Sequence, residues 1–323
     1  MKTFATTLLF ALVSALTIST IAQSQEEPPP WAYPVNPPDF KLPPDDGTVR
    51  RVPGSTVTLT LTQVRDRFFA PDWHPGDYPP LPEIVARGRK PDVFACGFCH
   101  RADGPGGPEN ANLTGLPAGY IVQQMADFKS GARKSSVQKG RIPAELKALL
   151  VKTITDAEVE AAAAYFSSIK PRSIVSVIEA DTVPKTYVTG WFLAAVTTGE
   201  KEPIGQRIIE VPEDLEQFVS RDTRARFVAY APLGSIQKGQ VLATTGGGGR
   251  TVQCGTCHGA DLKGIGLVPG IAGRSPSYTL RQLYDYKHGA RAGNGSALMM
   301  PSVEKLTIED MISLAAYAAS LTP

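Results

Sequence analysis

Two short segments of the chain carry all four of its cysteines. Each has the pattern Cys-x-x-Cys-His, formed by Cys96, Cys99 and His100 in the first segment and by Cys254, Cys257 and His258 in the second. In this motif the two thiols form thioethers with a c-type haem, and the histidine binds the iron. A redox dithiol or half of a zinc site would leave the repetition and both histidines unexplained. The sequence therefore predicts two covalently bound haem c groups.

The two motifs lie within an internal repeat. When His100 is aligned with His258, Tyr120 and Gln124 fall on Tyr278 and Gln282. With the same offset, residues 127–133 fall on residues 285–291. After a short gap, residues 154–165 match residues 306–317. We therefore expect two domains of the same kind, the first slightly longer in the loop before its last helix.

Each copy is predicted to form three helices. The first carries the Cys-x-x-Cys-His motif, and the second runs through a Tyr-x-x-x-Gln segment to a Gly-Ala-Arg stop. The third begins at an N-cap threonine, Thr155 or Thr307. Glu158 and Asp310 follow these threonines at the position of the acidic member of a capping box, where Glu or Gln is usual.

The N-terminus has the composition of a cleaved secretory signal. Lys2 precedes a mostly apolar run from Phe4 to Ala15, and small residues offer a cleavage site after Ala22. The run is shorter than the roughly 20 residues of a membrane span. We therefore expect residues 1–22 to be removed and no membrane span in the mature protein. Export agrees with the haem motif, because c-type haem is attached outside the cytoplasm.

Composition limits the remaining possibilities. The formal net charge is only +2, which gives no electrostatic support for nucleic-acid binding.

Residues 23–82 are rich in proline and cannot be mainly helical. We expect this segment to be an arm packed on the first haem domain, because a linker would leave its aromatic side chains in water. Within it, Ser55–Leu61 alternates polar and apolar residues as a strand does.

The region between the two copies has a different character. Residues 173–236 contain three segments typical of strands: Ser173–Ile178, Arg207–Val211 and Arg226–Tyr230. We interpret this region as a small β-rich insert. Gly246–Gly249 follows it, without the Lys-Ser/Thr pair of a phosphate-binding loop, and predicts a tight turn before the second motif.

Each copy resembles a class I cytochrome c domain, with the haem motif near its start and an Ala-Ala-Tyr segment in its last helix. The pair is similar to the tandem dihaem class I cytochromes of bacterial periplasms. The resemblance covers roughly residues 85–170 and 237–322. It implies a mainly α fold, with cytochrome c domains at residues 83–172 and 237–323. The arm and the β-rich insert lie outside it.

The resemblance also implies axial ligands. The sixth ligand of the family is usually a methionine in the loop before the last helix. In the second copy, the register set by Leu306 places Met299 there, and the adjacent Met300 is the alternative. The family also places a proline carbonyl against the ring N–H of the proximal histidine, and Pro269 is the counterpart here.

The first copy departs from this pattern. The position of Met299 is matched by Lys147 under the later offset and by Arg141 under the earlier one. Ala111 stands at the position of Pro269, and no methionine follows Met125 in this copy. The first haem is therefore predicted to lack a His/Met pair and to have the lower potential. Lys147, which must lose its proton to bind iron, and His74 of the arm are candidate ligands. An open or water-bound iron is the remaining alternative, and Met125 is expected in the core.

The resemblance favours electron transfer over catalysis. It implies a periplasmic carrier of single electrons between a dehydrogenase or quinol-oxidising donor and an oxidase or other acceptor, acting free or as the cytochrome subunit of an oxidoreductase. The alternative is a redox enzyme with peroxidase-like or thiosulfate-oxidising chemistry at the first haem. Asp103 and Glu109 follow the first motif, but no acid–base cluster lies close to it in sequence, which favours the carrier.

Overall fold

The computed structural model describes residues 27–323. The predicted signal peptide, residues 1–22, lies outside this range. In the described part of the chain, no helix is long and apolar enough to cross a membrane.

The Pro-rich arm is packed, but its parts contact different regions. Phe68 packs edge-to-face on Phe94 of the first copy, as expected. Tyr33, however, is buried against the second copy, where its hydroxyl donates to the carboxylate of Asp285 at 2.7 Å. Trp73 is buried as well, and its indole N–H donates to a backbone carbonyl of the insert at 2.7 Å. The prediction that the arm packs on the first haem domain is therefore wrong for its beginning and for Trp73.

The alternating run Ser55–Leu61 does not form a strand. Leu59 takes part in a single antiparallel bridge, and helix α1 begins directly afterwards, at Leu61–Arg65. The hydroxyl of Thr60 accepts the backbone N–H of Gln63, whose side chain accepts the N–H of Thr60 in return. This capping box ends the extended backbone before a ladder can form.

The first copy contains more helices than the sequence predicted. In order they are α2 (Glu83–Ala86), α3 (Cys96–His100), α4 (Ala118–Ser130), α5 (Ile142–Leu150) and α6 (Asp156–Ser168). Helix α3 is a single turn that holds the first motif. Side chains of α2, α4 and α6 share one core, with Phe166 at its centre. Helix α6 begins with the expected capping box between Thr155 and Glu158.

The insert is built around a three-stranded sheet. The strands between the copies are β1 (Val175–Glu179), β2 (Thr182–Pro184), β3 (Thr186–Thr189), β4 (Phe192–Ala195), β5 (Lys201–Pro203), β6 (Ile209–Pro212) and β7 (Phe227–Ala231), with helix α7 at Leu215–Val219. Strand β7 is central, parallel to β1 and antiparallel to β6. Strands β2 and β5 form one antiparallel pair, and β3 and β4 another. Strands β1, β6 and β7 overlap the three segments predicted from sequence.

The second copy begins with a helix of 11 residues, at the position where the first copy has the four-residue helix α2. Its elements are α8 (Ser235–Thr245), α9 (Gly255–His258), β8 (Gly264–Ile265), β9 (Val268–Pro269), α10 (Pro276–Lys287), α11 (Ser296–Val303) and α12 (Ile308–Ser320). Helix α8 crosses α12 so closely that a Cβ on Gly239 would lie 2.0 Å from the carbonyl oxygen of Ser313. All four glycines of Gly246–Gly249 have positive φ and turn the chain from α8 toward the second motif, as predicted. The capping box of Thr307 and Asp310 is also present.

Candidate haem sites

In the first motif, the surroundings of the histidine determine its hydrogen-bond partner and its protonation state. The Nδ1 atom of His100 lies 2.8 Å from the carbonyl oxygen of Ala111. Burial lowers the pKa of His100 to about 4, so the imidazole is neutral at pH 7. A neutral ring that donates from Nδ1 keeps the lone pair of Nε2 for a metal ion.

The second motif repeats this arrangement. The Nδ1 atom of His258 lies 2.7 Å from the carbonyl oxygen of Pro269, and burial lowers the pKa of His258. Ala111 therefore occupies the structural position that the sequence analysis assigned to a proline. The substitution of proline by alanine preserves this contact, because the hydrogen bond uses the backbone carbonyl, which any residue provides.

The cysteines are suited to covalent attachment. None of the four forms a disulfide. Burial raises the pKa of Cys96 to about 12 and that of Cys254 to about 11, so these thiols stay protonated in the fold. A dithiol catalyst needs a thiolate, which this environment disfavours. Neutral thiols beside a neutral histidine fit a haem held by two thioethers.

Lys147 lies close enough to the first motif to act electrostatically on His100. It is partly buried on α5, with Nζ 4.1 Å from the centroid of the Phe128 ring. Burial, and then repulsion from Arg133 and Arg141, lowers the pKa of Lys147 to about 7. Its charge in turn helps to lower the pKa of His100, after burial. The structure thus brings Lys147 within electrostatic reach of the proximal histidine.

In the second copy, the two candidate methionines differ in environment. Met299 packs against the core of this copy. Met300 is 36% exposed on the same helix, α11. The packing therefore favours Met299 as the residue directed into the domain.

The other candidates in the first copy have different partners. The Nε2 atom of His74 lies 3.0 Å from the Oδ1 atom of Asp222, and both side chains are almost completely buried. Asp222 is therefore the charged neighbour of this nitrogen in the described structure. Met125 packs against the core of the first copy, as expected.

The two copies meet in a hydrogen-bond network with approximate twofold symmetry. Arg133 donates to the side-chain carbonyls of Gln124 at 2.7 Å and Gln282 at 2.8 Å. Arg291 donates to the same two oxygens, at 2.8 Å and 3.0 Å respectively. Each arginine also donates to the tyrosine hydroxyl of the other copy, Arg133 to Tyr278 and Arg291 to Tyr120. The repeated residues found in the sequence thus face each other across the domain interface.

Buried positive charge accumulates at this interface. The side chains concerned are those of Arg133, Arg141, Arg281 and Arg291, each less than 9% exposed. In the structure of residues 27–323, none of them lies within 4.0 Å of a carboxylate oxygen. Unpaired buried charges are costly. The propionate carboxylates of haem would supply the missing negative charge, so these residues fit that group. No motif in the sequence marked them as a set.

A neutral, carbonyl-bound histidine behind each Cys-x-x-Cys pair, within helical domains, defines a c-type cytochrome. The protein-family model for cytochrome c matches residues 236–322. A cytochrome c-554(548) from Halomonas halodenitrificans is 37% identical over 68 residues, which cover 21% of this chain and 82% of that protein. The chain belongs to the cytochrome c family.

Two longer matches extend over both copies. A thiosulfate dehydrogenase electron acceptor from Thiomonas intermedia is 26% identical over 233 residues, covering 71% of this chain and 80% of that protein. The crystal structure of reduced recombinant cytochrome c4 from Pseudomonas stutzeri aligns with a TM-score of 0.45 and 24% identity, covering 70% of this chain and 93% of that one. The protein is an electron-transfer cytochrome that binds haem c covalently and exchanges electrons with redox partners.

Proposed function

We propose that the protein is a periplasmic carrier with two covalent haem c groups, one at each motif, in domains spanning residues 83–172 and 237–323. The observation that carries this proposal is the repeated proximal arrangement: His100 and His258 are each held through Nδ1 by a backbone carbonyl at the equivalent position. Haem supplies reversible one-electron exchange when bound. The chain anchors it through the cysteines and keeps both histidines neutral.

The two domains are proposed to carry different axial ligands. His258 and Met299 serve the second haem, and His100 and Lys147 serve the first. A thioether ligand favours ferrous iron, so the first haem, without one, has the lower potential. Electrons would then move from the first haem to the second. They would cross the domain interface where Arg133 and Arg291 donate to side chains of both copies.

Exchange with protein partners is proposed at the second haem. Thr256 and Cys257 are exposed, whereas the corresponding Phe98 is buried. A partner therefore reaches the second motif more easily than the first. The likeness to a thiosulfate dehydrogenase electron acceptor supports a dehydrogenase as donor. An oxidase or another haem protein is the corresponding acceptor.

The test combines mass spectrometry with a redox titration of the exported, purified protein. The denatured chain should be heavier than the processed polypeptide by two haems, and the titration should show two one-electron steps at different potentials. Loss of one haem is expected when both cysteines of a single motif are replaced by alanine, with the other haem retained. A mass increment of one haem in the wild type would refute the proposal.

A further inference from the structure

The insert reaches the first haem motif through one short buried loop. The polar residues Ser220, Arg221, Asp222 and Thr223 follow α7 directly, and each is at most 7% exposed. The loop lies between the arm and helix α3. Nothing in the amino-acid sequence connected it with the first motif, which is more than a hundred residues earlier in the chain.

Arg221 makes the closest contacts of this loop with the motif. Its Nη1 donates to the carbonyl oxygen of Phe98, inside the Cys-x-x-Cys-His motif, at 2.7 Å. Its Nε donates to the carbonyl of Val64 in the arm at 3.1 Å. The guanidinium carbon lies 3.8 Å from the centroid of the Phe98 ring and 5.3 Å from that of Trp191. Arg221, which belongs to the insert, thus donates hydrogen bonds to both the arm and the first motif.

The charge of Arg221 has no carboxylate partner within 4.0 Å in the described chain. Burial lowers the pKa of Arg221 to about 10, which still leaves the guanidinium charged at pH 7. The carbonyl that accepts from Arg221 belongs to Phe98, the residue directly before Cys99. A fixed, buried positive charge therefore acts on the attachment point of the first haem, where water screens it weakly.

The loop is held in an unfavourable backbone conformation. Arg221 has a φ of 59°, a region that favours glycine. The neighbouring Asp222 fixes the loop: Oδ1 accepts the N–H of Arg224 at 2.9 Å and lies 3.0 Å from Nε2 of His74, while Oδ2 accepts from Gln217 at 2.7 Å. The surrounding contacts thus maintain a strained position that directs Arg221 at the motif.

We propose that Arg221 is a positioning residue for the first haem: it holds the carbonyl of Phe98 and raises the reduction potential of that haem. The proposal rests on the assignment of a haem to the first motif. Reduction lowers the positive charge of the iron, so a nearby cation favours the reduced form. In the second copy, the corresponding residue is Thr256, which is exposed to solvent.

The experiment compares three variants by spectroelectrochemistry. Arg221→Gly removes the charge and suits the positive φ, so it is the variant best able to fold. Arg221→Lys keeps the positive charge, but an ammonium group lacks the planar geometry with which the guanidinium donates to the carbonyls of Val64 and Phe98. Arg224→Gln is the control: it removes a charge from the same loop, but that side chain is 45% exposed and paired with Asp77. Mass spectrometry first establishes that each protein carries two haems.

Arg221→Gly should lower the potential of the first haem enough to shift its one-electron equilibrium with the second about tenfold, or about 59 mV. The potential of the second haem should not change. Arg221→Lys should retain most of the wild-type potential, and Arg224→Gln all of it. The shift should persist at high salt, since buried charges are screened weakly.

Unchanged potentials in an Arg221→Gly protein with two haems would overturn the proposal while leaving the dihaem assignment intact. Equal losses in Arg221→Lys and Arg221→Gly would also overturn it, because the charge would then have no effect of its own. If Arg221→Gly attaches only one haem, Arg221→Lys decides: a first-haem potential near that of the wild type supports the proposal, and a lower one refutes it. A wild-type protein without the first haem would instead refute the proposed function.

Discussion

Lys147 offers the sharpest test of the ligand assignment in the first domain. Replacing it with alanine should convert the first haem from low spin to high spin, because the iron loses its sixth ligand. Lys152→Ala is the matched control, since Lys152 is exposed in the turn after the same helix. Lys147→Met should introduce a second sulfur-to-iron band and raise the potential of the first haem.

The structure indicates how much the protein assists lysine ligation. The pKa of Lys147 falls from 10.5 to about 7, with burial as the main cause. At 1.36 kcal/mol per pKa unit, this fall lowers the cost of deprotonating the amine at pH 7 by about 5 kcal/mol. Only the neutral amine binds iron. Ligation should therefore be complete well above pH 7 and be lost as the pH falls, with a midpoint below 7 because iron competes with the proton.

The assay is a pH titration of the oxidised protein followed by magnetic circular dichroism or resonance Raman spectroscopy. In the wild type, a low-spin to high-spin transition should appear on acidification, and Lys147→Ala should be high-spin throughout. If Lys147→Ala kept the wild-type spectrum and His74→Ala lost it, His74 would be the ligand. If neither variant changed the spectrum and reduced wild type bound cyanide or nitric oxide rapidly, the first iron would be open, and the enzymatic alternative would gain support.

The second domain supports two further predictions. Met299→Ala should abolish the long-wavelength sulfur-to-iron band of the oxidised protein, whereas Met300→Ala should keep it; the reverse would show that the exposed methionine is the ligand. Gly239→Ala should destabilise the protein by about 1–3 kcal/mol in urea unfolding, because the added carbon would press on the carbonyl of Ser313. This strain exceeds the roughly 1 kcal/mol that alanine gains over glycine in a helix. Gln240→Ala, exposed on the same helix, should have little effect, and an equally stable Gly239→Ala protein would contradict the close crossing of α8 and α12.

Local spacing determined much of this protein in advance. The cysteines and histidine of each motif are adjacent in sequence, so their chemistry needs only one helical turn to assemble. The capping boxes at Thr155 and Thr307 are equally local, and both were predicted correctly. Three strand segments of the insert were also predicted from their residue types. In the motifs and the capping boxes, the residues that interact lie within a few positions of each other, where residue type alone limits the conformation.

The tertiary structure decided what depends on distant or backbone groups. The carbonyl of Ala111 supports His100 although its side chain carries no signal. Tyr33 contacts Asp285, and Arg221 contacts Phe98, although the residues of each pair lie more than a hundred positions apart in the sequence. Such contacts form because packing brings together groups that many residues could supply, such as a backbone carbonyl or an arginine side chain. The pattern of residue types in the sequence therefore does not predict them.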